Sequence, residues 1–229
     1  MKKKNLLTLV VVTFMLTTLA FSGWGKRSNG GRNNQIIQDM VSQMPYEELS
    51  QAEKDYILKM REEEKLARDV YLTLYEVWGS QVFLNISGSE QTHMDAVKTL
   101  IDKYGLTDPM TSNDRGVFSD SKLKELYDSL VAKGKESITE AFKVGATIED
   151  LDIYDLDEAI VKSDNMDVVF VFENLRKGSE NHMRAFVSQL ERYGLSYTPQ
   201  YISQEEYETI ISSESETGQG YGRRGNRNW

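Results

Sequence analysis

The stretch Ser89–Gly105, SEQTHMDAVKTLIDKYG, decides the fold. Its residues Glu90, His93, Val97, Leu100 and Tyr104 recur at intervals of three and four, the spacing of a buried helix stripe, and Gly105 supplies a helix stop. The segment is therefore predicted as a helix over Ser87–Tyr104. Its first two core positions are a glutamate and one of only two histidines in the chain. Neither side chain is at ease in an apolar core, so the pair reads either as satisfied core polar groups or as part of a metal site.

Three further segments carry the same period. Over Ser50–Trp78 the stripe runs Ile57, Met60, Glu64, Ala67, Tyr71, Leu74, Trp78. Over Lys135–Lys162 it runs Ile138, Phe142, Gly145, Glu149, Asp152, Leu156, Ile160. Over Met166–Tyr193 it runs Val168, Phe172, Leu175, Ser179, His182, Phe186, Gln189, Tyr193, with Gly194 as the stop. The first two helices are expected to be joined by GSQVFLNI (79–86) and the last two by SDN (163–165), giving two antiparallel hairpins. Between the hairpins, residues 105–134 include a short amphipathic helix over Ser121–Lys133. A connection that long can run the length of a bundle. The expectation is an all-α fold, a four-helix bundle with one long crossover between helices 2 and 3 that carries a short extra helix.

The flanks differ in character. Residues 1–22 combine three lysines, an apolar run over Leu6–Phe21 and the small pair Ala20/Ser22, the pattern of a secretory signal cleaved near Ser22; the alternative is a retained membrane anchor. Either way the rest of the chain is expected outside the cytoplasm. Residues 23–44 and the end of the 201–229 extension are rich in Gly, Asn and Arg and are expected to be flexible tails, leaving 45–200 for the bundle. Of the formal −9, residues 1–32 contribute six positive charges and 218–229 three, with no acid in either, so the body between them carries −18. An acidic body argues against nucleic acid and favours cations; the basic tails could touch an anionic envelope surface, and a homodimer is a candidate assembly.

With no cysteine, any metal must be held by oxygen and imidazole. The polar intruders in the stripes are Glu64, Glu90, His93, Glu149, Asp152 and His182, each near the middle of its helix. With about two core positions in seven, both histidines fall in stripes about one time in twelve. Four converging buried carboxylates need protons, cations or metal. Two divalent ions bridged by carboxylates meet that count, and hard oxygen donors with two imidazoles suit iron or manganese. The plainer alternative for Glu64 is an ion pair with Arg68 one turn on, and Tyr71 and Tyr104 read as packing groups.

The segment EKLARDVY (64–71) resembles the Glu-x-x-Ala-Arg-x-x-Tyr pattern of rubrerythrin-like proteins, and EQTH (90–93) their Glu-x-x-His. The run from REEEKLARDVY through SEQTHMDAV, IEDLD and ENLRKGSENHMRAF, within about residues 45–200, is similar to the bacterial domain-of-unknown-function 2202 family, placed among ferritin-like proteins. The resemblance implies Glu64, Glu90 and His93 as ligands of one half, and Glu149 and His182 as ligands of the other. It departs at Ser179, where the pattern expects a glutamate. Asp152, one turn after Glu149, is the expected replacement, whereas Glu180 points about a quarter turn away. Two functions follow as expectations. One is a di-iron or di-manganese oxidase or peroxidase, with Glu90 and Glu149 bridging and each histidine capping one ion. The other is a non-enzymatic binding or structural protein with one metal or none.

Overall fold

A computed structural model describes residues 29–214. The signal segment 1–22 and the Gly/Arg-rich end of the extension lie outside the described residues. The elements are α1 (Asn29–Gln43), α2 (Gln51–Trp78), α3 (Gln81–Tyr104), α4 (Ser121–Gly134), α5 (Ile138–Val161), α6 (Met166–Arg192) and α7 (Gln204–Ser212), with no strand among the described residues. The all-α expectation holds. None of these helices is long and apolar enough to cross a membrane.

Helix boundaries follow local chemistry. Ser50 caps α2 by accepting from the Glu53 amide, and Glu53 answers by accepting from the Ser50 amide at 2.8 Å. The other oxygen of Glu53 accepts from the amides of Asp164 and Asn165, so this cap also pins the α5–α6 connection. Gly79 ends α2 at φ +65°, a conformation that a side chain makes costly. Only Gly79 and Ser80 separate α2 from α3. The segment Gln81–Ile86, expected as loop, is the first turn and a half of α3.

The four long helices pack side by side, α2 against α3 and α5, and α6 against α5 and α3. The crossover returns over them through α4, which lies on α2 and α5 and is held where Trp78 Nε1 donates to the Gly134 carbonyl at 2.9 Å. Its loop is tied down by Asp69, buried in α2, which accepts from Lys65, Arg68 and the Gly116 amide. Residues 29–43, read from their composition as part of a flexible tail, form α1 instead. That helix docks on α3 through fully buried Val41, and Lys103 of α3 donates to the carbonyls of Val41, Met44 and Pro45. At the other end Asp150 of α5 accepts from the Tyr197 hydroxyl and from the amides of Gln200, Tyr201 and Ile202, which seats the turn leading to α7.

The core has two apolar clusters. One gathers Leu74, Phe83, Phe142 and Phe186, the other Ile57, Leu100, Val168 and Phe172. Along α2, α3 and α6 the two contributions are separated by a polar interruption, Glu64 on α2, Glu90 and His93 on α3, and Ser179 and His182 on α6; on α5 buried Glu149 and Asp152 lie at the same level, between Ile148 and Ile153 of the first cluster and just before Leu156 of the second. A buried polar layer thus divides the apolar core.

Candidate metal centre

All six residues singled out from the sequence are buried in this layer. Five form two triads that share Glu90: Glu64, Glu90 and His93 on α2 and α3, and Glu90, Glu149 and His182 across α3, α5 and α6. Within each triad one donor atom per residue lies within 4.8 Å of the others. Glu90 faces both histidines, with Oε2 at 2.8 Å from His93 Nδ1 and Oε1 at 2.8 Å from His182 Nδ1. Glu64 Oε2 is 3.0 Å from His93 Nδ1, and Glu149 Oε2 is 3.4 Å from His182 Nδ1. The two imidazole rings are 5.4 Å apart and inclined by 30°.

These close approaches are mostly not hydrogen bonds. His93 Nδ1 and Glu64 are aligned as a pair, yet Glu90 Oε1 and Oε2, Glu149 Oε2 and His182 Nδ1 have no hydrogen-bond partner although they are shut away from solvent. Asp152 Oδ2 is orphaned in the same way. An unsatisfied buried polar atom costs about 1–3 kcal/mol, more for a charged group, so these five are open to a further partner, a cation among them. Two donors each about 2.1 Å from one ion and at right angles stand about 3.0 Å apart. The 2.8–3.4 Å separations match that spacing.

The electrostatics agree. Burial drives Glu64 up to about 8, with attraction to His93 only partly opposing it. Burial also raises Glu149, and it raises Asp152 well above the usual carboxylate range, assisted there by Glu64 and Glu149. Against the cost of burial, His182 and His93 hold Glu90 below its ordinary value. Burial would lower both imidazoles, but Glu90 and Glu149 raise His182 to about 10, and Glu64 and Glu90 raise His93 well above its usual range. The four carboxylates reach neutrality by taking up four protons, two of them on imidazole, or by binding two divalent ions with both imidazoles neutral. The donor set fits the second way: oxygen and nitrogen only, each Nδ1 facing the carboxylates.

Neighbouring groups fix these donors. The Tyr71 hydroxyl donates to Glu149 Oε1, leaving Oε2 for the triad, so Tyr71 positions a candidate ligand as well as packing on Phe83 and Phe186. Gly178 of α6 lies against His93, where an added Cβ would fall 2.3 Å from Nε2. Tyr104 donates to Asp167, away from this layer. Arg68 is not the partner of Glu64: its guanidinium donates to Asp69, Gln91 and Asn113. The i, i+4 expectation fails because Asp69 and the crossover claim the arginine first.

Asp152 joins neither triad, although its charge is felt by the same carboxylates. Ser179 is buried, and its hydroxyl is turned back on the Leu175 carbonyl at 3.3 Å. Two participants escaped the sequence reading. Glu63 is pushed by burial to about 7, and its Oε2 has no partner, yet in the run REEEK it looks like a solvated face. Gly178 carries no signal beyond being a glycine inside a helix, four residues before a histidine.

Residues 53–214 match the profile of a family described as an uncharacterized protein domain, DUF2202. A relative described as uncharacterized protein MJ0754, from the archaeon Methanocaldococcus jannaschii, is 60% identical over 180 residues, which is 79% of this chain and 97% of the relative. The crystal structure of that hypothetical protein matches with a TM-score of 0.75 at 61% identity, over 76% of this chain and 99% of the other. With an archaeal relative so similar, the expected bacterial restriction gains no support.

Proposed function

This chain belongs to the DUF2202 family, and we propose that it is a metal-binding protein of ferritin-like four-helix architecture whose polar layer takes two divalent ions, iron or manganese. The observation that carries this reading is the pair of triads sharing Glu90, with buried donor atoms converging at ligand spacing and lacking hydrogen-bond partners. Glu64, Glu90 and His93 would hold one ion, and Glu90, Glu149 and His182 the other. Glu90, common to both triads, would serve both ions; Glu149, expected as a second bridge, enters one triad only.

A pair of reduced ions there would supply electrons to dioxygen or peroxide, which is the oxidase or peroxidase reading of the site. The chain's own part is positional. The apolar clusters above and below the layer exclude water, Tyr71 fixes Glu149, and the helices hold both Nδ1 atoms toward Glu90. The second reading is a non-enzymatic binding protein with a single or vestigial site. It is favoured by Ser179, which offers no carboxylate, and by Asp152, which stands outside both triads. The secretory reading of residues 1–22 places the mature chain outside the cytoplasm, where its basic tails would meet an anionic envelope.

Metal analysis of the purified chain tests the proposal. The expected content is two ions per chain, falling to one in His93→Ala with the helical circular dichroism retained. One ion in the wild type, or none, refutes the dinuclear proposal and selects the second reading.

A further inference from the structure

Resting on that reading, we propose that the ions reach the buried centre along an acidic lane between α2 and α5, from Asp155 past Glu63 to Asp152, and that the Lys59 ammonium occupies its mouth as the cation an incoming ion displaces. Lys59 and Glu63 are one turn apart on α2, as are Asp152 and Asp155 on α5, and these two helices are neighbours. Lys59 Nζ is 2.8 Å from Asp155 Oδ1 and 3.6 Å from Glu63 Oε1. The lysine side chain is 41% exposed, whereas those of Asp155 and Glu63 are only 12% and 13% exposed, so the carboxylates run inward behind it. On the surface Lys59 also lines, with Ala52, Asp55, Tyr56 and Lys162, a groove of about 300 Å³.

The lane is not a set of finished ion pairs. Lys59 satisfies Asp155 and approaches one oxygen of Glu63, but Glu63 Oε2 is shut away from solvent without a partner. One step deeper, Asp152 is 5% exposed, Oδ2 is likewise orphaned, and Glu63 repels its charge. Asp152 is buried one turn after Glu149 on α5, so the inner end of the lane lies in the polar layer beside a member of the second triad. A divalent ion gives up its water reluctantly, and carboxylates spaced along a narrow path replace that water in stages. This role also accounts for an aspartate that lies in the polar layer yet belongs to neither triad. An alternative way in passes the imidazole edges, which are about as exposed as the inner lane, on the α3–α6 face.

The test loads the metal-free full chain with cobalt(II) alone, following its visible absorption by stopped flow and the final stoichiometry by titration. Glu63→Gln and Asp155→Asn are expected to slow loading by about tenfold or more each while reaching the wild-type endpoint, the size of effect that charge in a narrow cleft exerts on association. Lys59→Met is expected to load faster. Wild-type rates in both Glu63→Gln and Asp155→Asn would place the path elsewhere, past the imidazoles. A lower endpoint at an unchanged rate in Glu63→Gln would make that residue a ligand and remove the lane. Loading no faster in Lys59→Met refutes the displaced ammonium. A wild-type chain that takes up no cobalt fails at the earlier step, the metal centre itself.

Discussion

Gly178→Ala presses on the proposed centre through one atom. The added Cβ would lie 2.3 Å from His93 Nε2 and 2.4 Å from Cε1, whereas such atoms are comfortable at about 3.5 Å. The ring must therefore withdraw by about 1 Å. It has little room, because Nδ1 on its other side is already 3.0 Å from Glu64 and 2.8 Å from Glu90. Overpacking of this kind costs about 1–3 kcal/mol, and alanine in place of glycine within a helix returns about 1 kcal/mol, so the metal-free protein should lose no more than about 2 kcal/mol. Metal binding should suffer more, because a ligand displaced by about 1 Å disturbs a site at least as much as losing the group that orients it, a loss of about 10–100-fold in affinity. Competition against a chelating indicator measures the affinity, and chemical denaturation without metal measures the stability. Gly88→Ala is the control: a Cβ there meets nothing within 4 Å, so it should stabilise α3 by about 1 kcal/mol and leave the affinity alone. An affinity in Gly178→Ala within twofold of the wild type would show that His93 is not a ligand.

The pH dependence of stability should invert on loading. In the metal-free protein Glu64, raised to about 8 from an ordinary 4.5, and His182, raised to about 10 from 6.5, keep protons that the unfolded chain has released, so the melting temperature should fall from about pH 5 to pH 9. Glu90 is shifted the other way and loses its contribution only as the pH drops below about 4.5. With saturating manganese the donors must shed those protons, so the melting temperature should rise over pH 5–8; parallel curves in scanning fluorimetry would refute a site inside the fold. Asp152→Asn removes one of four crowded carboxylates and should raise the metal-free melting temperature by about 3–6 °C, the equivalent of about 1–2 kcal/mol. The same change should reduce the gain conferred by metal, and an unchanged gain would detach Asp152 from the centre.

Much of this was legible because the stripes are long. Over seven turns of α2 or α6 the three-four period leaves little choice of buried face, and an interruption such as Glu64 or His182 stands out against it. What failed to read depended on contacts between distant segments. The glycine- and asparagine-rich stretch of α1 lacks the propensity for an isolated helix, and what holds it is the docking of Val41 and the Lys103 ammonium at its carboxyl end. The start of α3 was hidden by Gly79, which reads as the opening of a loop although it closes one helix immediately before the next. The allegiance of Arg68 was decided by Asp69 and Asn113, and the part played by Gly178 by a ring on another helix. Neither is encoded in local spacing.

The sharing of Glu90 has a consequence for the order of assembly. One triad is complete within the α2–α3 hairpin, whose helices are joined by two residues, and it spans thirty positions of the chain. The other does not exist until α5 and α6 have come across the crossover to meet Glu90. Hairpin contacts are local and form early, whereas closing the crossover costs loop entropy and comes later. On the proposed reading, a folding chain would therefore offer metal a half-built pocket with three of its donors in place. An ion held there with ligands still wanting would favour the arrival of the second hairpin, and metal would then be a template for the last step of folding.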